Sequence, residues 1–511
     1  MEKKKSFILN TLAFSAATFI SRILGYLRDA TIAYFFGANP LTDAFFIAWK
    51  LPNTFRQLLG EGSFNAAFIP IYTDEKKKNP QSVYQFVSSV FTYYTLTLIV
   101  LTLLAIVFAE GLITILAPGF LKNKEVFNEA VKLVRIVFPY LILAGWVSFF
   151  MALLNTKNRF FLPAFTPALL NLSFITSAFL MADKLGIYSL AIGALIGGLI
   201  QVLVLVPYIK KENFKIGITF KIHPRLKEFL KKMVPAFISF GVSQFSFIVD
   251  TVIASFLLGG AISYLYYANR IFQLPMGVFA IGLGNALLVS LSKHYTEKNI
   301  NEFNKDFNRG IVFSLLIATP ATVGMIVLGK EIIELLLVRG QFTPEDAVMT
   351  NYALIGYSLG LVGYALSRPF KSAIFSIGDT KTPLYATIFG VIIGIISAII
   401  FGFVFKWGVF GLAFASSLAG IGTTLYLYIK SKSKFYIDLK LILKSFFKIL
   451  VSAILMGLVV LLIKNFIPIL ALKVFLSIFI AVFVYFGILT ILKEETAQIF
   501  INKIKRKFGR K

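Results

Sequence analysis

Cysteine is absent from the 511 residues, histidine occurs twice, tryptophan three times, and charged side chains make up only 15% of the chain. The missing thiols exclude disulfides, thiolate catalysis and cysteine-ligated zinc or iron–sulfur centres. His223 and His294 lie far apart in stretches read as basic loops, which argues against an imidazole metal site. No Walker-type segment occurs, so the chain is not itself an ATPase. The Ser and Asp residues are scattered, without the arrangement a hydrolase needs. Acid clusters that would hold magnesium for a polyprenyl-phosphate transferase are missing too, and no cofactor is expected. What is there instead is apolar: hydrophobic residues make up 58% of the chain, against roughly 45–50% in soluble proteins. Fifty-five Phe fit lipid-facing surface, although an AT-rich coding sequence would enrich Phe as well. The N-terminus lacks a short apolar region followed by a small-residue cleavage site, so its first apolar stretch is expected to stay as a spanning helix.

The fold class expected is an all-α polytopic membrane protein with about fourteen transmembrane helices. Apolar segments long enough to cross are read at 7–36, 41–72, 83–109, 129–154, 160–182, 187–209, 229–258, 262–292, 308–329, 346–376, 382–405, 409–429, 441–463 and 467–492. Loops after even-numbered spans carry the basic residues: Lys76, Lys77 and Lys78; Lys157 and Arg159; a run from Lys210 to Lys232; Lys293, Lys298, Lys305 and Arg309; Lys381; and Lys430, Lys432 and Lys434. The positive-inside rule then places both termini in the cytoplasm. Because the net charge of +27 is spread over these loops and the tail from Lys503 to Lys511, anionic membrane lipids are the expected partners and nucleic acid is not.

The chain repeats itself with an offset near 221 residues. Asp29-Ala-Thr-Ile-Ala-Tyr-Phe matches Asp250-Thr-Val-Ile-Ala-Ser-Phe, Gly60-Glu61-Gly62 matches Gly282-Leu-Gly284, Gly119 matches Gly340, and Pro163 matches Pro383. Six spans per unit return the chain to its starting side, so the halves are parallel repeats, an arrangement that in transporters places the substrate between two lobes. The expected domains are an N-lobe (1–215, spans one to six), a C-lobe (216–435, spans seven to twelve), and a segment 436–511 holding two added spans and a basic cytoplasmic tail.

Charge within spans is costly and marks function by default. Span one carries Arg22, Arg28 and Asp29. Arg22 and Asp29 fall on one face about 10 Å apart along the axis, Arg28 points elsewhere, and Gly25 between them permits close approach or a bend. Span two supplies Asp43, then Lys50, Asn53 and Arg56 around Pro52, while Gly60-Glu61-Gly62-Ser63 reads as a helix break rather than a nucleotide-binding turn. Later spans add Asp250, Asn269, Arg270 and Arg368. One reading pairs each arginine with a neighbouring acid, Arg28 with Asp29 or Asp43 above all. That reading does not cover the set: Arg22, Arg28, Lys50, Arg56, Arg270 and Arg368 outnumber Asp29, Asp43, Glu61 and Asp250. A surplus of guanidinium forks in a wet cavity points to an anionic, phosphorylated substrate.

Ser21-Arg22-Ile23-Leu24-Gly25-Tyr26-Leu27-Arg28-Asp29-Ala30, Thr42-Asp43-Ala44-Phe45-Phe46, Lys50-Leu51-Pro52-Asn53 with Arg56, Glu61-Gly62-Ser63-Phe64 with Ala67-Phe68-Ile69-Pro70, Tyr266-Tyr267-Ala268-Asn269-Arg270 and the stretch from Asn155 to Pro167 resemble the MurJ (MviN) lipid II flippases of the multidrug/oligosaccharidyl-lipid/polysaccharide exporter superfamily. The likeness runs through both lobes. It implies a transporter, not an enzyme, that moves undecaprenyl-pyrophosphate-linked peptidoglycan precursor from the inner to the outer leaflet of the bacterial cytoplasmic membrane by alternating access, working as a monomer. It implies essential cavity cations at Arg22, Arg28, Arg56 and Arg270, with Asp43 as the important acid, and a groove for the polyprenyl tail at 441–492. Some relatives bind sodium through an Asp on span seven. Asp250 matches it, but the run Ile388-Phe-Gly-Val-Ile-Ile-Gly394 on span eleven offers no acid. Coupling to sodium, proton or chloride stays open. The alternatives are a cation-coupled drug or polysaccharide-lipid exporter of the same superfamily, expected to carry more acids and aromatics than arginines in its cavity, and a membrane enzyme acting on the lipid.

Overall fold

The computed structural model describes residues 2–57, 63–277, 281–499 and 501, with the backbone alone for 2–15, 63, 66, 235–243, 245–247 and 281. Among the described residues the chain is helical throughout, with no strand. The first half holds α1 (Glu2–Phe36), α2 (Pro40–Arg56), α3 (Ser63–Lys78), α4 (Val83–Val107), α5 (Ala109–Leu116), α6 (Lys124–Val137), α7 (Tyr140–Thr156), α8 (Phe161–Leu185) and α9 (Tyr188–Lys211). The second holds α10 (Pro224–Ala254), α11 (Ala261–Pro275), α12 (Ile281–Thr296), α13 (Ile300–Leu337), α14 (Pro344–Ser358), α15 (Leu361–Ser376), α16 (Lys381–Ile399) and α17 (Gly408–Lys432); α18 (Leu439–Lys464) and α19 (Leu470–Ile491) follow.

The helix boundaries carry the duplication further than the sequence matches do. Pro40, Tyr140, Phe161 and Tyr188 open α2, α7, α8 and α9, and Ala261, Leu361, Lys381 and Gly408 open their counterparts 220 or 221 positions later. Within the spans expected at 262–292 and 41–72, residues 278–280 and 58–62 lie outside the described residues. Spans expected at 129–154 and 346–376 are each two helices, α6 with α7 and α14 with α15. Pro139 has no amide to continue the first of these ladders. Gly360 sits where any Cβ would come within 2.4 Å of the Ser417 backbone. Hydropathy does not register such breaks, because the residues around them stay apolar. Among the described residues nine helical segments are long and apolar enough to cross a bilayer. The protein is therefore an all-α, multi-pass membrane protein, without the count of fourteen being established.

By compactness the chain divides into one unit of residues 1–263 with Arg339–Phe342 and a second of 264–338 with 343–511. The division falls later than 215 because α10 packs on α3, α4 and α5. Within the first unit α8 lies against α1 and α9. Gly193 of α9 lets Ser177 of α8 approach so closely that a Cβ would meet its side chain at 2.9 Å, and Ser173 Oγ donates to the Gly193 carbonyl at 2.8 Å. Small residues are the usual means of close helix approach in lipid.

Phenylalanine is not only lipid-facing surface. Phe64, Phe68, Phe86, Phe149 and Phe229 are fully buried and stack on one another, with ring centroids at 5.3 Å for Phe64–Phe68 and for Phe64–Phe229. They fasten α3, α4, α7 and α10 into one aromatic core. In the second unit α18 and α19 pack on α13. Tyr485 Oη donates to the Leu316 carbonyl at 2.7 Å, and Lys464 Nζ meets Glu331 at 2.7 Å and the Val327 carbonyl at 2.8 Å.

Candidate functional site

On α1, Arg28 and Asp29 are both buried, at 7% and 4% exposure. Although neighbours on a helix start about 100° apart, the guanidinium bends across so that Nε (3.0 Å) and Nη2 (2.6 Å) donate to Asp29 Oδ1. Nη1 donates to Asn171 Oδ1 of α8 at 3.1 Å, and Asn171 in turn donates to the Ser21 carbonyl at 3.1 Å. Phe174, one turn along α8, lies 5.6 Å from the Arg28 guanidinium. Gly25 explains the fit: a Cβ there would stand 3.3 Å from Asn171 Nδ2. Arg22, nearly two turns earlier, is exposed.

On α2, Asp43 is fully enclosed. Its carboxylate accepts from the amides of Gly260 and Ser263, each at 2.7 Å, and from Ser263 Oγ at 2.6 Å. These groups open the helix that begins at Ala261, where the dipole favours an anion. Asp43 thus has a holding role inside the first unit. Two turns on, half-buried Lys50 donates to Thr251 Oγ1 of α10 and stands beside Asp250. Asn53 accepts from Arg56 Nε at 3.1 Å. Glu61 lies outside the described residues.

In the second unit Arg270 is half-buried on α11. Its Nη2 donates to Tyr266 Oη at 3.3 Å, with the ring centroid 5.4 Å from the guanidinium carbon, and Asn269 accepts from Gln273. Half-buried Arg368 on α15 runs beside Gly284 of α12, and Ser372 fixes that approach by donating to the Gly284 carbonyl at 2.8 Å. Lys371, absent from the residues singled out above, stands close enough to Arg368 to feel its charge. Asn171 was also missed, although a buried amide in an apolar helix is itself a signal.

Outside the spans, His294 sits in the last turn of α12, not in a loop, with Nε2 3.2 Å from Asp306. His223 caps α10, its Nδ1 accepting from the Arg225 amide at 3.2 Å. Burial holds its imidazole below the ordinary value, the Glu75 carboxylate 3.7 Å away opposing that shift. Among the described residues no three acidic or histidine side chains come together in a way that would hold a metal.

The duplicated bundle of membrane helices places the chain among multi-pass membrane proteins with the MOP fold. A multidrug-resistance transporter of the MATE family, solved facing inward, overlays with a TM-score of 0.67 at 14% identity, covering 81% of this chain and 94% of its own, a likeness of fold alone. The particular family follows from closer relatives. The family model described as lipid II flippase MurJ matches residues 32–485. A probable lipid II flippase MurJ of Aquifex aeolicus is 34% identical over 506 residues, covering 97% of each chain. The lipid II flippase MurJ of Burkholderia cenocepacia is 34% identical over 390 residues, 75% of each. A solved lipid II flippase MurJ in an inward closed conformation is 33% identical with a TM-score of 0.82, covering 98% of this chain and all of its own. The chain belongs to the MurJ lipid II flippase family.

Proposed function

We propose that the protein translocates lipid II, the undecaprenyl-pyrophosphate-linked peptidoglycan precursor, from the inner to the outer leaflet of the bacterial cytoplasmic membrane by alternating access, with both termini cytoplasmic. The observation that carries this reading is the surplus of cations within the spans of a chain of this family: Arg22, Arg28, Lys50, Arg56, Arg270, Arg368 and Lys371 stand against Asp29, Asp43, Glu61 and Asp250. Arg22, Arg56, Arg270 and Arg368 engage the pyrophosphate in a cationic central cavity, with Lys50 and Asn53 beside them on the helix of Arg56. Arg28 joins them by exchanging its bond to Asp29 for a phosphate oxygen, since the guanidinium fork matches phosphate as well as carboxylate. Asp43, Gly25 and Asp250 position the helices that carry these cations. The polyprenyl tail runs along α18 and α19, whose outer surfaces are apolar.

An inside-negative potential favours outward passage of the anion by about 2.3 kcal/mol per charge per 100 mV. A monovalent ion, whether sodium, proton or chloride, resets the empty carrier, and the protein acts as a monomer among anionic lipids. A cation-coupled exporter is the weaker reading, because Asp29 and Asp43 are already occupied by groups of the chain itself. Complementation of a bacterium depleted of its own flippase tests the proposal. Arg28→Ala and Arg270→Ala, at expression equal to the parent, are expected to fail to restore growth; full growth with both would overturn the cationic-site model.

A further inference from the structure

Between α9 and α10 the chain runs without helix and is laid along α4. The amides of Gly217 and Thr219 donate to Ser88 Oγ and Thr92 Oγ1, each at 3.0 Å, and the amide of His223 donates to Ser89 Oγ at 3.2 Å. Tyr93 Oη donates to the Phe220 carbonyl at 2.9 Å, and the Lys221 amide turns to Thr219 Oγ1 at 3.2 Å. The attachment points climb from Ser88 to Thr92 and Tyr93 and come back to Ser89. That is a dip of about 6 Å along the axis of α4, with Phe220 near its deepest point.

Two features of this strap do not suit a hydrated loop. Ile218, Phe220 and Ile222 alternate along it and are 78%, 73% and 67% exposed, so its outward side is a row of large apolar groups. Its inner edge is bonded to a row of α4 hydroxyls, as non-helical backbone at membrane depth requires. Lys210, Lys211, Lys215 and Lys221 flank the row and are exposed. Tyr84 and Tyr93 of α4 stand beside it, the residue type that anchors segments at headgroup level. Farther up the same helix Val100, Leu103, Leu104 and Val107 are exposed, so the apolar row continues a lipid-facing surface. Charge and continuity together commit the occupant to one chemistry, a bilayer leaflet with anionic headgroups.

We propose that residues 214–222 form a shallow interfacial strap, with Ile218, Phe220 and Ile222 seated among acyl chains of the cytoplasmic leaflet and Lys215 and Lys221 on anionic headgroups. The inference rests on the positive-inside orientation and is independent of what the protein transports. The natural absence of cysteine makes the test direct. Spin labels on single cysteines replacing Lys215, Ile218, Phe220, Lys221 or Ile222 are read by power saturation in the full-length protein, in vesicles of phosphatidylglycerol and phosphatidylethanolamine. Labels at 218, 220 and 222 are expected to favour oxygen over a water-soluble nickel chelate, and those at 215 and 221 the reverse. Five labels all open to the chelate would overturn the strap. In phosphatidylcholine vesicles the label at 220 is expected to sit measurably shallower, and an unchanged depth would overturn the headgroup half of the proposal. Thermal stability of each unlabelled variant confirms that the fold is intact.

Discussion

Helices α1 and α10 occupy the same place in the duplication, and each keeps an aspartate there, Asp29 in one and Asp250 in the other. Their charges are handled differently. Asp29 is bound by the residue before it, Arg28, in a buried pair completed by Asn171. Position 249 is a valine, and Asp250 instead has Lys50 of α2 as its neighbour, in a half-buried setting. The backbone plan was copied and the source of the cation was not. An aspartate kept on both helices, with its counter-charge supplied once from within the helix and once from another helix, reads as a structural inheritance. The cations around it are what the two copies have specialised.

The difference predicts a ranking of effects. Arg28→Ala leaves Asp29 buried without its donors, and breaking a buried pair costs about 3–5 kcal/mol. The expected outcome is the largest loss of thermal stability in the series, mostly recovered in the Arg28→Ala/Asp29→Ala double variant; a double variant no more stable than the single would break the comparison. Next comes Asp43→Ala, which leaves three donors at Gly260 and Ser263, just beyond α10, without their acceptor and is expected to cost about 2–3 kcal/mol, while Asp43→Asn, which retains an acceptor, costs less. Lys50→Ala removes only a half-buried partner of Asp250 and is expected to cost about 1 kcal/mol; a loss equal to that of Arg28→Ala would erase the contrast between the helices.

The smallest effect concerns the start of α10, where His223 caps the helix. His223 is held below its ordinary value of 6.5 by burial. The unfolded chain therefore takes up a proton first, and the stability contributed by neutral His223 is complete above about pH 7 and declines as pH falls through the ordinary histidine range. A melting series from pH 7.5 to about 5.5 should show a shallower decline for His223→Asn than for the parent, and parallel curves would remove His223 from the account.

Much of this was legible in the chain. The duplication came from Asp29, Gly119 and Pro163 and their partners, and the helix boundaries extend it. Charges inside span one marked Arg28 before any contact was known. What stayed hidden depends on distance in sequence. Asn171 lies 143 positions from the arginine it holds, and the donors on Asp43 are 217 and 220 positions away, so no local pattern announces them. The divided spans stayed hidden for another reason: hydropathy averages over a window, and one proline at 139 or one glycine at 360 ends a helix without lowering it. Phe64 and Phe68 look alike in sequence to phenylalanines that face lipid, and only their packing separates the core from the surface.

The central claim is that span cations hold the pyrophosphate of the substrate, and retention of lipid II by the purified protein tests it most directly. Arg270→Ala and Arg368→Ala are the variants of choice, because neither removes a partner of a buried acid described above. The expected result is that the parent retains lipid II in competition with inorganic pyrophosphate, while each variant binds it about tenfold more weakly, equivalent to about 1.4 kcal/mol. A neutral lipid with the same polyprenyl chain should bind all three proteins alike. Equal retention of lipid II by parent and variants would contradict the account.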